Sequence, residues 1–203
     1  MTSEAAIIER IQFDLRGPGG DWETIFEDVL GESLLVFKNR HRSIREMFNA
    51  NIAKWASREF LVLGDRRITY EELKSCVEST AYSMQTQCGI KQGDRVAILG
   101  ANSPEWVISF FAATHLGAIV SALNGWWTET EIRHALELTD PSLVVGDSRR
   151  LARAGSLLDN FQVIDFDQNP LFFENSGNEP EYPDLNEDDP ALILFTSGTT
   201  GKS

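Results

Sequence analysis

The chain of 203 residues carries 18 basic against 31 acidic side chains, a formal charge of -13, and 42% of its residues are hydrophobic. Such a length and composition suit an ordinary globular protein of one or two domains. The acidic excess excludes the attraction on which nonspecific binding to nucleic acid or to an anionic membrane surface depends.

The start, with Glu4 and Glu9, lacks the basic-then-apolar order of a secretory signal. Residues 1–42 are weakly patterned, with a short helix expected over Ala5–Arg10 and a breaker at Gly17, Pro18, Gly19 and Gly20. They read as an extension packed on a main body that begins at residue 43. There Ser43 and Glu46 form an S-x-x-E capping box, and Ile44, Met47, Phe48, Ile52 and Trp55 recur at helical spacing to about Ser57. Phe60–Leu63 and Arg67–Thr69 flank Gly64, Asp65 and Arg66, the pattern of a β-hairpin.

Thr69 and Glu72 make a second capping box, bracketed by Ile68 and Leu73 as a hydrophobic staple. Leu73, Cys76, Val77, Thr80, Ala81 and Met84 continue one apolar face until Gly89, which ends the helix. Arg95–Leu99 is a short apolar strand. Ser103, Pro104 and Glu105 then open a helix reaching His115 or Leu116, and Ala118–Leu123 forms the next strand, parallel to the first through a right-handed crossover. Trp106–Leu123 imitates a membrane span because it lacks a formal charge, but it divides at Gly117 into helix and strand.

Thr128 and Glu131 repeat the capping box before a helix that runs through about Thr139 and stops at Asp140 and Pro141. Leu143–Gly146 is a strand, Arg149–Leu158 reads as a helix and Gln162–Phe166 as a strand. Such alternation predicts an α/β fold with a mostly parallel sheet layered with helices, plus the hairpin. Asp167–Pro190 turns acidic and proline-rich, a surface connection leading to Leu192–Phe195, an uncharged apolar strand expected to be buried on both faces.

After that strand the chain changes character. Thr196, Ser197, Thr199 and Thr200 supply hydroxyls, and Gly198 and Gly201 permit close backbone approach, so this loop can turn donors toward a phosphate with Lys202 nearby. The nucleoside-triphosphatase loop G-x-x-x-x-G-K-[ST] would need glycine where Thr196 stands, which speaks against that reading. The other charged or polar residues carry less. His41, His115 and His134 are scattered and read as packing or surface residues; Trp126 and Trp127 read as anchors of the following helix; and Gly100 lacks the partners of a dinucleotide loop. Cys76 and Cys88 form no C-x-x-C pair or metal spacing and read as reduced cytoplasmic thiols.

Phe195 to Gly201, F-T-S-G-T-T-G, resembles the signature [YF]-T-S-G-[ST]-T-G-x-P-K of the adenylate-forming enzymes, with Ser203 where proline is usual and the signature's final lysine beyond the chain. The segments I-T-Y-E-E-L at Ile68–Leu73, G-I-K-Q-G-D-R-V-A-I-L at Gly89–Leu99, N-S-P-E-W at Asn102–Trp106, L-G-A-I-V at Leu116–Val120 and L-N-G-W-W-T-E-T-E-I at Leu123–Ile132 are similar to early stretches of acyl-CoA synthetases. The resemblance implies the first part of a large AMP-binding domain, residues 43–203, truncated within the phosphate loop. It implies further that Thr196, Ser197, Gly198, Thr199, Thr200 and Gly201 bind nucleotide phosphate. The parent enzyme would use ATP with Mg²⁺, a carboxylic acid with a lean toward fatty acids, and CoA. The adenine contacts, the acid associated with Mg²⁺, the acyl pocket and the catalytic lysine are implied to lie downstream, so no catalytic or metal-binding residue is assigned here and the fragment alone is expected to be inactive. A noncatalytic homologue serving as a binding or scaffold piece is the alternative.

Overall fold

The computed structural model describes residues 4–196, and the chain divides into two compact units: residues 1–42 with 186–188, and residues 43–185 with 189–203. In the first unit α1 spans Glu4–Arg16. It outruns the expected end at Arg10 because nothing in I-Q-F-D-L-R breaks a helix; the first stop is Gly17, whose N–H closes on Phe13 O at 2.7 Å. Strands β1 (Thr24–Val29) and β2 (Glu32–Phe37) form an antiparallel hairpin that the sequence pattern did not announce. Its turn places Leu30 at φ 54° and Gly31 at φ 88°, a conformation leucine seldom adopts, so the usual Asn-Gly signal is missing. Arg40 and Arg42 converge on Glu27 and Glu187, and hydrogen bonds from Arg40 and then Arg42 hold the Glu27 carboxyl down at about 2.

The second unit opens with α2 (Ile44–Trp55), where Ser43 Oγ accepts the Glu46 N–H at 3.0 Å and Phe48 and Ile52 face the core. The helix stops at Trp55, short of Ser57. Strands β3 (Glu59–Leu63) and β4 (Arg66–Thr69) make the expected hairpin, with Gly64 at φ 57°. A reciprocal Thr69–Glu72 capping box starts α3 (Tyr70–Thr86), which buries Leu73, Val77, Thr80, Ala81 and Met84 completely. Past Gly89 (φ 72°), the Ile90 N–H returns to Met84 O at 3.0 Å.

The parallel sheet follows: β5 (Arg95–Leu99), α4 (Pro104–His115), β6 (Ile119–Ala122), α5 (Glu129–Thr139), β7 (Leu143–Gly146), α6 (Ser148–Ala154), β8 (Val163–Asp165) and β9 (Leu192–Leu194). The strand order is β8-β7-β5-β6-β9, every pairing parallel. Alternate residues serve opposite faces. Val96 and Ile98 of β5 join a core with α2, α3 and α4, while Ala97 and Leu99 join one with α5 and α6.

Three expectations need correction. The helix expected over Arg149–Leu158 breaks at Gly155 (φ 51°), and Gly155–Leu158 continues as a 3-10 turn. The connection after β8 is not wholly on the surface: Pro170–Phe173 forms a 3-10 turn that buries Phe173 against Phe166, ring centroids 5.2 Å apart, and Pro180 is also buried. β9, expected to be covered on both faces, leaves Leu192 39% and Leu194 69% exposed. Among the described residues it pairs only with β6, so it is an edge strand there. No helix of the described residues is long and apolar enough to cross a membrane.

Candidate functional site at the carboxyl edge of the parallel sheet

In an open parallel sheet, ligands bind beyond the carboxyl ends of the strands, where neighbouring connections leave toward opposite faces. Here β5 feeds α4 on one face and its neighbour β7 feeds α6 on the other. The crevice between them is closed by Asp147. Its Oδ2 accepts the Ala101 N–H at 2.7 Å and the Arg150 Nη1 at 3.0 Å, while Oδ1 accepts the Arg150 backbone N–H at 3.0 Å as the N-cap of α6. The sequence reading missed this cap, although an aspartate directly after an apolar strand is an N-cap signal, and the bond to Ala101 joins residues distant in sequence.

The loop after β6, residues 123–128, is fixed from below. Asn124 accepts the Trp127 N–H through its carbonyl at 3.1 Å and the Trp126 N–H through Oδ1 at 2.9 Å. Arg153 donates to the carbonyls of Gly125 at 2.9 Å and Trp127 at 3.2 Å. A Cβ at Gly125 would stand 2.5 Å from Arg150 Nε, so any larger residue there has to displace the Arg150 side chain. The adjacent tryptophans divide their roles. Trp127 packs into the core edge to face with Phe195, centroids 5.1 Å apart, whereas Trp126 is 76% exposed with the Arg150 guanidinium 5.8 Å from its ring, so the packing role expected of both holds for Trp127 alone.

β9 enters beside this loop. Ala122 lies opposite Leu194, so the carboxyl end of β9 delivers Phe195 and an exposed Thr196 next to the residues that follow β6. Of the expected phosphate-binding residues Thr196 is thereby placed at the carboxyl edge of the sheet; Ser197, Gly198, Thr199, Thr200 and Gly201 lie outside the described residues.

The histidines fall elsewhere. His115 is buried at the end of α4, its Nδ1 2.6 Å from Phe111 O and its ring edge-on to Phe48; burial pushes its pKa down to about 4. His41 and His134 lie on the surface. Burial pushes both Cys76 and Cys88 thiols up, away from thiolate reactivity. Among the described residues no group of three His, Cys, Asp or Glu side chains is arranged to hold a metal.

Comparison with known proteins matches the sequence profile described as "AMP-binding enzyme" over residues 48–203. 4-Coumarate–CoA ligase 1 of Petroselinum crispum is 27% identical over 90% of this chain and 36% of its own length. Indoleacetate–CoA ligase of Aromatoleum aromaticum is 32% identical over 68% of this chain and 29% of its own length. The chain thus spans about a third of the length of these curated relatives. Among solved structures, the NpsA N-terminal subdomain of Klebsiella oxytoca superposes with a TM-score of 0.69 at 29% identity, covering 81% of this chain and 41% of that one. The same subdomain in complex with 3-hydroxyanthranilyl-AMSN gives 0.68, again at 29% identity, over 80% and 40%. With the ordered segments at residues 68–132, the all-parallel sheet and the terminal motif, these matches show that the chain belongs to the AMP-binding enzyme family, as part of its N-terminal region.

Proposed function

We propose that the chain is the front part of an ATP-dependent acyl-CoA synthetase, and that residues 196–201 hold the pyrophosphate portion of ATP while a carboxylate attacks the α-phosphorus. The observation that carries this reading is the delivery of Thr196 by β9 to the carboxyl edge of a parallel sheet, beside the fixed loop at residues 123–128. In the attack, a carboxylate–phosphorus bond forms as the bond to the bridging oxygen breaks, and negative charge accumulates on the departing pyrophosphate. The hydroxyls of Thr196, Ser197, Thr199 and Thr200, with the N–H groups that Gly198 and Gly201 leave open, are suited to follow those oxygens. A well-placed donor of this kind lowers the barrier by on the order of 3 kcal/mol.

The two relatives named above are CoA ligases of 4-coumarate and indoleacetate, which supports a hydrophobic carboxylic acid as substrate and CoA as acceptor. Mg²⁺ would travel with ATP, and no residue of this chain is assigned to it. Neither the acyl pocket nor the acid–base machinery is assigned here, so the 203-residue chain by itself is proposed to be inactive. A pyrophosphate-release assay tests this with a panel of fatty and aryl acids. The polypeptide continued to the full length of its relatives should turn over one class of acid, and the chain alone none. Turnover by the chain alone, or none by the longer polypeptide with any acid, would refute it.

A further inference from the structure

The composition of β9 does not choose its register on β6. Ala191–Phe195 is an unbroken apolar run, so a slip by one or two residues would set another apolar side chain in nearly every place. The strand is three residues long, pairs only with β6 among the described residues and keeps Leu194 69% exposed. Yet its register decides where Thr196 and the motif after it begin, since each residue of slip moves them by about 3.3 Å. Phe195, packed on Trp127, holds the far end of the strand. The near end is held from the turn before β5.

Gln92 stands on that turn and is exposed. Its Nε2 donates to Asp184 O and to Asp189 Oδ2, each at 3.1 Å, which uses both hydrogens of one amide. A single side chain therefore closes the base of the loop formed by residues 185–188 and fixes Asp189 just ahead of β9. The turn is itself tied to the amino end of β6: the Gly93 N–H donates to Gly117 O at 2.9 Å, and the Ile119 N–H to Asp94 O at 2.7 Å. Gly117, at φ 67°, leaves the room for this clasp, since a Cβ there would stand 2.7 Å from Leu185 Cδ2 and 2.9 Å from Gln92 Cγ. Directly beyond it the Val120 N–H donates to Ala191 O at 2.9 Å, where the pairing of β6 with β9 starts. We infer that Gln92 is a positioning residue for the phosphate loop: by tying Asp184 and Asp189 to the amino end of β6 it sets the register of β9, and so the point from which residues 196–201 depart. The inference rests on the phosphate-loop reading proposed above.

Two measurements test it. Hydrogen exchange followed by NMR on the 203-residue chain reads the clasp itself. Gln92→Ala should speed exchange of the Val120 amide about tenfold, and leave in place that of Leu123, which donates to Ile98 O on the β5 side. Acid-dependent ATP–pyrophosphate exchange by the polypeptide continued to the length of its relatives reads the consequence. There Gln92→Ala should lower kcat about tenfold while KM for the acid and the unfolding midpoint stay put, a split that a general loss of stability would not give. Gln92→Glu sets a carboxylate against Asp189 and should be slower still; adding Asp189→Asn faces a donor to an acceptor again and should recover most of the loss. An unaltered Val120 amide in Gln92→Ala would overturn the clasp. A faster Val120 amide with kcat at the parent value, or no recovery in the double variant, would overturn its role in placing the loop. A parent polypeptide without acid-dependent exchange would refute the phosphate-loop reading and the role of Gln92 with it, a failure visible before any substitution is made.

Discussion

Replacing Asp147 by alanine removes one carboxylate that serves three donors at once. Loss of the N-cap of α6 costs about 1 kcal/mol. Leaving the Ala101 N–H without its 2.7 Å acceptor costs about 1 kcal/mol more. The Arg150 guanidinium then loses its partner while its Nε already lacks one. Breaking a fully buried pair costs about 3–5 kcal/mol, but these side chains keep 13% and 16% exposure, so ~1–2 kcal/mol is the fitting figure. The parts share one carboxylate and add imperfectly, giving ~3 kcal/mol for Asp147→Ala. Asp147→Asn keeps the capping oxygen and loses the other two bonds, for ~2 kcal/mol. With a urea dependence of about 2 kcal/mol per molar, the midpoints should fall by about 1.5 M and about 1 M. Chemical unfolding followed by tryptophan fluorescence measures both. An alanine variant within 0.5 kcal/mol of the parent (roughly the scatter of a surface substitution), or an asparagine variant as unstable as alanine, would refute this account of the crevice.

Gly146→Ala should destabilise by on the order of 3 kcal/mol in the same assay, because its Cβ would fall far inside contact distance of the Leu99 carbonyl on the neighbouring strand; an unchanged midpoint would mean the strands can part there. His115 makes stability depend on pH. Its folded pKa, about 4, lies below the ordinary 6.5, so the neutral ring's contribution is fully present above pH 6.5 and is lost as pH falls toward 4, ~3 kcal/mol in all. His115→Phe should flatten the stability profile between pH 6.5 and 4.5, and an unaltered slope would acquit His115. Leu194→Lys, on the unpaired edge, should lower light scattering at high protein concentration without changing the unfolding midpoint. Equal scattering by both proteins would show that the edge does not drive association.

Much of the second unit could be read locally, because its elements are announced by residues a few positions apart. Thr69 with Glu72 and Thr128 with Glu131 form reciprocal boxes, Ser103 accepts the Trp106 N–H, and Gly64, Gly89 and Gly117 all take positive φ. What escaped local reading depends on partners elsewhere or on unusual turn chemistry. Leu30 hides the β1–β2 turn, Phe173 is buried only because Phe166 and α3 lie across from it, and Trp126 cannot be told from Trp127 until Phe195 claims one of them. The full burial expected of β9 followed from its composition, yet burial is set by neighbours, and β9 has β6 on one side only among the described residues. The site followed the same division. The phosphate-loop expectation rests on the residue types of the T-S-G-T-T-G run, of which only Thr196 lies among the described residues, whereas the Asp147–Ala101 bond across the crevice joins residues that no local pattern relates.

The measurement that bears most directly on the phosphate loop is acid-dependent ATP–pyrophosphate exchange by the polypeptide continued to the length of its relatives, with Thr199 and Thr200 intact or replaced by valine. Loss of two donors to the departing pyrophosphate should slow exchange by at least a hundredfold while leaving the unfolding midpoint in place. Exchange at the parent rate in the doubly substituted protein would contradict the assignment of residues 196–201.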